Sequence, residues 1–280
     1  MKIAVASGKG GTGKTLVSTC LFRVLGSGNS VLIDADVEEP NAGLVLKPLV
    51  VEETNVYRQV PDIDMEKCTF CGVCAQICMF NALIVMPHKV LVFNELCHSC
   101  GACSYLCPQD AINEKKHRIG TMEKAQLPGY GTVLTGRITV GEAQSPPLIN
   151  AVKNNQDEAE LTIIDCPPGT ACSMIEAIRY SDYCLLVTEP TPFGMHDLQL
   201  SLEALHLLDI PGGLVINRWQ GEEGELNKMS EKTGIPILGR IPFSTDLAKA
   251  YMQGQDPLKA MPALPAILTN IWGKIQEALT

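Results

Sequence analysis

Short apolar runs recur along the chain, and each one stops at a polar or charged residue. They occupy residues 3–6, 31–33, 161–164, 183–187 and 214–216. Short, nearly continuous apolar runs are typical of strands that are buried on both faces of a parallel sheet. Between them lie segments with apolar residues at helical spacing, such as residues 16–25. This alternation predicts an α/β fold with a doubly wound, mostly parallel sheet.

The first run leads into a glycine-rich stretch, residues 7–15, that fits the phosphate-binding pattern G-x-x-x-x-G-K-[ST]. Its pattern positions are Gly8, Gly13, Lys14 and Thr15. In such a loop the backbone N–H groups point at phosphate oxygens, and the following helix contributes the positive end of its dipole. We expect Lys14 to reach the β and γ phosphates and the Thr15 hydroxyl to bind Mg²⁺. A chance glycine turn is the alternative, but here strand, loop and helix follow in the required order.

Carboxylates end two of the apolar runs. Asp34 and Asp36 follow the run at 31–33, and Asp165 follows the run at 161–164. Ligands bind at the carboxyl ends of parallel strands, and an apolar strand ending in aspartate is the arrangement that holds Mg²⁺ in nucleotide-binding proteins. Asp34 or Asp36 could instead cap the next helix. Two carboxylates that flank one alanine favour a functional role.

These motifs resemble the MinD/ParA/Mrp group of P-loop ATPases. Lys9 matches the additional lysine of that group's phosphate loop, and Asp36 with Asn41 matches its first switch. The resemblance implies a dimer around ATP and Mg²⁺, either a homodimer or a heterodimer with a related ATPase. It also implies that Lys9 reaches the partner subunit's nucleotide and that Asp36 orients the attacking water.

The same resemblance assigns the site residues. Lys9, Lys14 and Asp36 take catalytic roles, Thr15, Asp36 and Asp165 are expected at the magnesium ion, and Asn217 and Pro242 frame adenine. The full set expected around ATP is Gly8, Lys9, Gly10, Gly11, Thr12, Gly13, Lys14, Thr15, Asn217 and Pro242. Gln220 stands where a GTPase would carry the aspartate that reads guanine, which favours ATP.

Eight of the twelve cysteines form two copies of C-x₂-C-x₂-C-x₃-C, the first beginning at Cys68 and the second at Cys97. This spacing resembles two-cluster bacterial ferredoxins, in which the fourth cysteine of each run binds the other cluster. The resemblance assigns one [4Fe–4S] cluster to the first cysteine set, Cys68, Cys71, Cys74 and Cys107. It assigns the other to the second cysteine set, Cys78, Cys97, Cys100 and Cys103. Structural zinc is the alternative, because paired C-x₂-C also suits tetrahedral Zn²⁺.

The cysteine runs predict a small α+β ferredoxin domain inserted into the ATPase. We expect the insert at residues 61–114 and the ATPase domain at residues 1–60 and 115–280. Pro108 follows the second run as in ferredoxins, whereas Met79 replaces the proline after the first. The remaining cysteines, Cys20, Cys166, Cys172 and Cys184, are interpreted as small buried residues.

Charge and composition disfavour two kinds of binding partner, nucleic acid and membrane. The net charge of −9 and pI near 5.1 disfavour nucleic-acid binding. No long apolar run is present, and the C-terminal apolar stripe at residues 264–279 lacks a basic polar face, so we expect no stable membrane association and a cytoplasmic location. The stripe is better interpreted as a helix packed on the core.

Together these features predict an ATP-hydrolysing protein that couples nucleotide state to electron transfer through two [4Fe–4S] clusters and serves a redox partner protein. An iron–sulfur assembly carrier is the first alternative. Such carriers have a late C-P-x-C pair, and no cysteine follows Cys184. A MinD-like spatial organiser is the second alternative, and the missing basic helix disfavours it.

Overall fold

A computed structural model of the chain describes residues 1–221 and 224–280 and contains a nine-stranded sheet. The strands are β1 Lys2–Ala6, β2 Ser30–Asp34, β3 Leu49–Ile63, β4 Leu83–Met86, β5 Lys89–Val92, β6 Ile112–Leu127, β7 Gly131–Ile138, β8 Leu161–Asp165, β9 Tyr183–Thr188, β10 Gly212–Trp219 and β11 Ile237–Pro242. The sheet order is β11-β10-β9-β1-β8-β2-β7-β6-β3. Strands β4 and β5 form a separate two-stranded sheet.

Helices follow most of the strands. They are α1 Lys14–Leu25, α2 Ala42–Leu46, α3 Val73–Ile77, α4 Ala102–Tyr105, α5 Pro146–Asn154, α6 Cys172–Ile178, α7 Pro192–Leu207, α8 Gly224–Thr233, α9 Thr245–Met252, α10 Pro257–Ala260 and α11 Leu264–Leu279. A short 3-10 helix spans Asn94–Leu96. Among the described residues, no helix combines the length and the apolar character needed to cross a membrane.

The central sheet is covered on both faces. Seven neighbouring strands, from β11 to β7, pair in parallel. Alternate residues of β1 enter different cores: Ile3 and Val5 pack in one, with residues of α1 and α11, and Ala4 and Ala6 in the other, with residues of α5, α6 and α7. Burial on both faces explains the uninterrupted apolar runs and confirms the predicted mostly parallel α/β sheet. The apolar face of α11 is also buried, as its sequence predicts.

One edge of the sheet is a long antiparallel hairpin. Strands β3 and β6 pair from Leu49 opposite Gln126 to Ile63 opposite Ile112, and β6 also pairs antiparallel with β7. The predicted boundaries of the insert, residues 61 and 114, therefore fall inside these strands. The residues between the strands, 64–111, carry all eight motif cysteines, and we call them the cysteine segment.

The cysteine segment and the adjoining strand ends form two repeats, offset from one another as Cys97 is from Cys68. Leu83 pairs with Val92 in the β4–β5 hairpin, and the positions related by the repeat, Ile112 and Ile63, pair in the β6–β3 hairpin. The Phe93 N–H donates to the Ala82 carbonyl at 2.8 Å, and the related Asp64 N–H donates to the Ala111 carbonyl at 2.8 Å. Each repeat thus builds one hairpin, and the second of these hairpins continues into the central sheet.

Candidate functional site

The phosphate loop connects β1 to α1 and places Lys14 and Thr15 in the first helical turn. Gly11 and Gly13 have φ values of 79° and 93°, which favour glycine. A Cβ atom on Gly13 would also collide with the side-chain amide of Asn217. That amide donates to the Thr12 carbonyl at 2.7 Å. Asn217, near the end of β10, therefore holds the phosphate loop in place through this hydrogen bond.

A cavity of about 330 Å³ opens beside the loop. The predicted nucleotide-site residues that line it are Gly10, Gly11, Gly13, Lys14, Thr15, Asp36, Asn217 and Pro242. The other predicted residues, Gly8, Lys9, Thr12 and Asp165, are not among its lining residues. Gly8 has a structural reason to be glycine, since a Cβ atom there would collide with the backbone of Asp197 in α7.

Helix α9 contributes residues that the sequence analysis missed. Leu247, Ala248 and Tyr251 line the cavity together with Phe243 and Ser244, which precede the helix. The Ser244 hydroxyl accepts the Leu247 N–H at 3.1 Å and so starts the helix at the rim of the cavity. Nothing in the phosphate-loop motif, which lies at the other end of the chain, indicates that this helix reaches the site.

Asp34, the last residue of β2, and Asp36, which lies just beyond it, have different environments. Both oxygens of Asp34 accept backbone N–H groups, from Ala42 at 2.9 Å and Asp36 at 3.2 Å. Asp34 thus anchors the start of α2, and burial holds its pKa well above the usual range. Asp36 faces the cavity, as expected of a residue near reacting phosphate. The helix-capping alternative therefore holds for Asp34.

Asp165 is buried at the end of β8. Neither of its carboxylate oxygens makes a hydrogen bond of ordinary length among the described residues, although the Thr15 and Ser18 hydroxyls lie close enough to lower its pKa. Burial raises its pKa to about 6, and the nearby Lys14 ammonium opposes that rise. A buried carboxylate with two unpartnered oxygens is what a bound Mg²⁺ ion would satisfy, with Thr15 and Asp36 as further oxygen donors.

Lys9 pairs within its own chain. Its Nζ lies 3.6 Å from Oε2 of Glu189, whose Oε1 lies 2.6 Å from Nη1 of Arg218. Glu189 is buried and follows β9 directly. Lys9 is partly exposed and so remains accessible from outside the subunit.

The motif cysteines line two cavities. Cys68, Cys71 and Cys74 line one with Cys107, whereas Cys97, Cys100 and Cys103 line the other with Cys78. Each cavity therefore draws three cysteines from one run and the fourth from the other, which matches the two predicted sets. The assignment of the sets as cluster ligands stays a prediction.

Backbone N–H groups point at four of these sulfurs. Phe70 and Ser99 donate to Cys68 and Cys97 at 3.4 Å. Ala82 and Ala111 donate to Cys78 and Cys107 at 3.3 Å. Burial raises the pKa of Cys103 to about 11 and raises the pKa of Cys74, so these thiols would stay protonated without a bound cation.

The other cysteines lie apart from these cavities. Cys20, Cys166 and Cys184 are buried as predicted, whereas Cys172 is exposed because it opens α6 at the surface. Across residues 1–221 and 224–280, no group of three or more His, Cys, Asp or Glu side chains is arranged so that it could hold a metal ion.

Comparisons with known proteins bear on the whole chain. The model of the CobQ/CobB/MinD/ParA nucleotide binding domain family matches residues 3–258. Uncharacterized protein MJ0578 of Methanocaldococcus jannaschii is 34% identical over 256 residues, which cover 89% of this chain and 87% of that protein. The cytosolic Fe-S cluster assembly factor NUBP2 of Homo sapiens is 27% identical over 146 residues, which cover 43% of this chain and 52% of that factor.

A solved structure shares the fold. The septum site-determining protein MinD of Pyrococcus horikoshii, complexed with Mg-ADP, matches with a TM-score of 0.59 at 17% identity and covers 98% of this chain and 95% of its own. The family match, the phosphate loop at the end of β1 and the cavity beside that loop all indicate a nucleotide-binding domain. The chain therefore belongs to the CobQ/CobB/MinD/ParA nucleotide-binding domain family.

Proposed function

We propose that this protein hydrolyses ATP and couples its nucleotide state to electron transfer through two [4Fe–4S] clusters. The observation that carries the proposal is the pair of four-cysteine cavities in a chain that also has a complete phosphate loop. Thiolates from Cys-rich runs are the usual ligands of such clusters, and the clusters supply one-electron chemistry.

The cysteine cavities have the donor chemistry that a cluster requires. Four sulfurs surround each cavity, and backbone N–H groups point at two sulfurs of each set. Hydrogen bonds to sulfur stabilise the reduced cluster and raise its potential. A four-iron cluster is also larger than one ion, so its thiolates stand further apart than those around a single zinc.

In the nucleotide site, Lys14 and the loop N–H groups would hold the phosphates of ATP. Thr15, Asp36 and Asp165 would hold Mg²⁺, and Asp36 would also orient the attacking water. The structurally similar MinD of Pyrococcus horikoshii was solved with Mg-ADP, which supports a magnesium-bound nucleotide as the ligand. We further propose a dimer, either of two copies or with a related ATPase, in which Lys9 leaves Glu189 and acts on the partner's nucleotide. A redox protein in the cytoplasm would exchange electrons with the clusters.

Metal analysis tests the clusters. Protein purified without oxygen should contain about eight irons and eight labile sulfides per chain. Cys78→Ala should damage the cluster of the second set, and the matched Cys107→Ala should damage the cluster of the first. Zinc without labile sulfide, or loss of the cluster nearest in sequence, would contradict the proposal.

An iron–sulfur assembly carrier is the second candidate, and the similarity to the assembly factor NUBP2 favours it. A carrier gives its cluster away, whereas an electron-transfer protein keeps it. Incubation of the loaded protein with an apo-ferredoxin separates the two. Transfer of iron and sulfide within minutes would favour the carrier, and retained clusters that are reduced and reoxidised would favour electron transfer.

A further inference from the structure

A continuous chain of contacts connects the nucleotide cavity to one of the two cysteine sets. It starts at Asp36, which lines the cavity, and at the next residue, Val37, which is buried. The Val37 carbonyl accepts the N–H of Ile138 at 2.9 Å, at the end of β7. The Thr139 N–H then donates to the Ile119 carbonyl at 2.9 Å. The first switch is thereby fixed to the segment that leaves β7.

That segment delivers a buried carboxylate to the β3–β6 hairpin. The side chain of Glu142 is 2% exposed; its Oε1 lies 2.7 Å from Nη2 of Arg58, which is 5% exposed, and its Oε2 lies 3.2 Å from Nε2 of His117. We call these three side chains the buried joint, although His117 at its edge is partly exposed. The joint connects β3, β6 and the segment after β7.

The buried joint ends on the second cysteine set. Arg58 Nη2 donates to the carbonyl of Asn94 at 2.7 Å, and that carbonyl also accepts the N–H of Cys97 at 3.0 Å. Gln144 Nε2 reaches the carbonyls of Glu95 at 3.4 Å and Cys97 at 3.5 Å. Two side chains from outside the cysteine segment thus hold the turn that presents Cys97.

The first cysteine set has a different environment at the related position. Met65 stands where the repeat places Asn94, and it is 44% exposed. The hydrogen bonds of the neighbouring Asp64 side chain stay local, since it accepts the N–H groups of Glu66 and Lys67. The two repeats therefore share their hairpins but differ at this turn, where the Cys68 N–H donates to the carbonyl of Asp64 at 3.0 Å and not to that of Met65. They also differ in their connection to the nucleotide site.

The joint also has unused bonding capacity. Among the described residues, Arg58 Nε and Nη1, Thr139 Oγ1, Asn94 Oδ1 and Glu142 Oε1 lack hydrogen-bond partners, although Glu142 Oε1 lies close to Arg58. Unpaired buried polar groups are costly, so another arrangement of this network that satisfies them would gain free energy. Switch segments in P-loop proteins change conformation when the γ-phosphate is lost. Such a change at Asp36 would displace the adjacent Val37.

We infer that nucleotide state acts selectively on the second cysteine set, through the buried joint of Arg58, Glu142 and His117. The inference deepens the proposed function and rests on it for its meaning in electron transfer. Glu142 is a positioning residue: it contacts neither nucleotide nor cysteine, and it carries the displacement of the first switch to Arg58 and the Cys97 turn.

Hydrogen–deuterium exchange on the full protein, prepared without oxygen, tests the inference. Mg-ADP and magnesium with a non-hydrolysable ATP analogue are compared. Exchange in residues 93–99 should differ by about fivefold between the two nucleotides, the low end of typical coupling between sites. Residues 64–70, the related turn in the first repeat, serve as the control within the same chain and should change by less than about twofold.

Substitutions test whether the coupling passes through Glu142. Glu142→Gln should remove the nucleotide-dependent difference in residues 93–99, and Lys115→Ala should keep it, because its partner Asp62 is exposed on the same hairpin. If Glu142→Gln does not fold, Gln144→Ala decides, and it should reduce the difference. Equal changes in both turns, or a difference that is as large in the variant as in the parent protein, would overturn the inference. The readout needs no turnover, so a protein without iron would refute the proposed function while the exchange pattern still decides the coupling.

Discussion

Gly136→Ala is a specific perturbation because Gly136 in β7 packs against Val37, the residue that follows Asp36. A Cβ atom there would lie 2.6 Å from Cγ1 of Val37 and 3.0 Å from Cγ2 of Val152. The first distance is too short for carbon atoms, so Val37 or the strand must move. Since Val37 follows Asp36 directly, the displacement reaches the nucleotide cavity.

The size of the effect follows from two opposing terms. Overpacking of a buried site destabilises a protein by about 1–3 kcal/mol. Replacement of glycine in a strand by alanine recovers about 0.5–1 kcal/mol of backbone entropy. At the midpoints of these ranges, about 2 and about 0.75 kcal/mol, the net loss in the free energy of unfolding should be about 1 kcal/mol. ATP hydrolysis should fall as well, because Asp36 leaves its position.

Val37→Ala supplies the matched variant. It removes the Cγ1 atom that clashes, and the Val37 Cβ atom lies at an ordinary 3.6 Å from the new methyl group. Val37→Ala alone should be destabilising by about 1.6 kcal/mol, for two buried carbon groups. In the double variant the new methyl group fills that space, so we expect a favourable coupling of about 1–2 kcal/mol.

Urea unfolding of the four proteins measures the coupling. The free energies of the single variants, the double variant and the parent form a double-mutant cycle. A Gly136→Ala protein as stable as the parent would refute the close packing of Gly136 against Val37. Single-variant effects that add without coupling would refute it as well.

Three further predictions use the same chain. Lys14→Ala should abolish ATP binding, whereas Lys9→Ala should bind ATP in equilibrium dialysis and hydrolyse it slowly; a fully active Lys9→Ala protein would count against its action across a dimer. Asp36→Asn should likewise bind ATP and turn it over slowly in a phosphate-release assay, and normal turnover would remove Asp36 from the catalytic step. The hydrogen bonds from Arg23 lower the pKa of Asp256, so this carboxylate stabilises the fold above its unfolded pKa and the stabilisation is lost as the pH falls through the lowered folded value. Urea midpoints of Arg23→Ala should therefore trail the parent most at neutral pH and converge with it in acid, and a gap that is constant with pH would contradict this assignment.

The sequence predicted the parts of the site that are local in the chain. The phosphate loop and Asp165 each sit at the end of a short apolar run, and such runs indicate a parallel sheet on their own. The sequence could not separate Asp34 from Asp36, because both lie at the end of the same apolar run and only the packing of α2 makes one a cap. Likewise, Tyr251 lies at the cavity only because the tertiary fold places α9 there, and no local sequence pattern predicts this position.

The edge of the sheet was harder to predict. Strand β3 is mostly exposed, with Leu49, Val50 and Val51 facing solvent, so its apolar residues do not mark a buried face. The sequence therefore placed the ends of the insert by cysteine position, whereas hydrogen bonding carries the strands past both boundaries. The ion pair between Lys9 and Glu189 could not be predicted either. The two residues are 180 positions apart, and no sequence pattern links residues so distant.

The pairing of Ile63 with Ile112 has a consequence for modularity. Because these residues are neighbours across one hairpin, the chain leaves the nine-stranded sheet, here called the host, and returns to it at nearly the same point. Excision of residues 64–111 would need only a two-residue turn such as Asn-Gly to rejoin the strands. The host would then keep every strand of its sheet and a plain hairpin at its edge. A cysteine-rich unit can thus enter or leave such a fold without any change of topology, in evolution or by design.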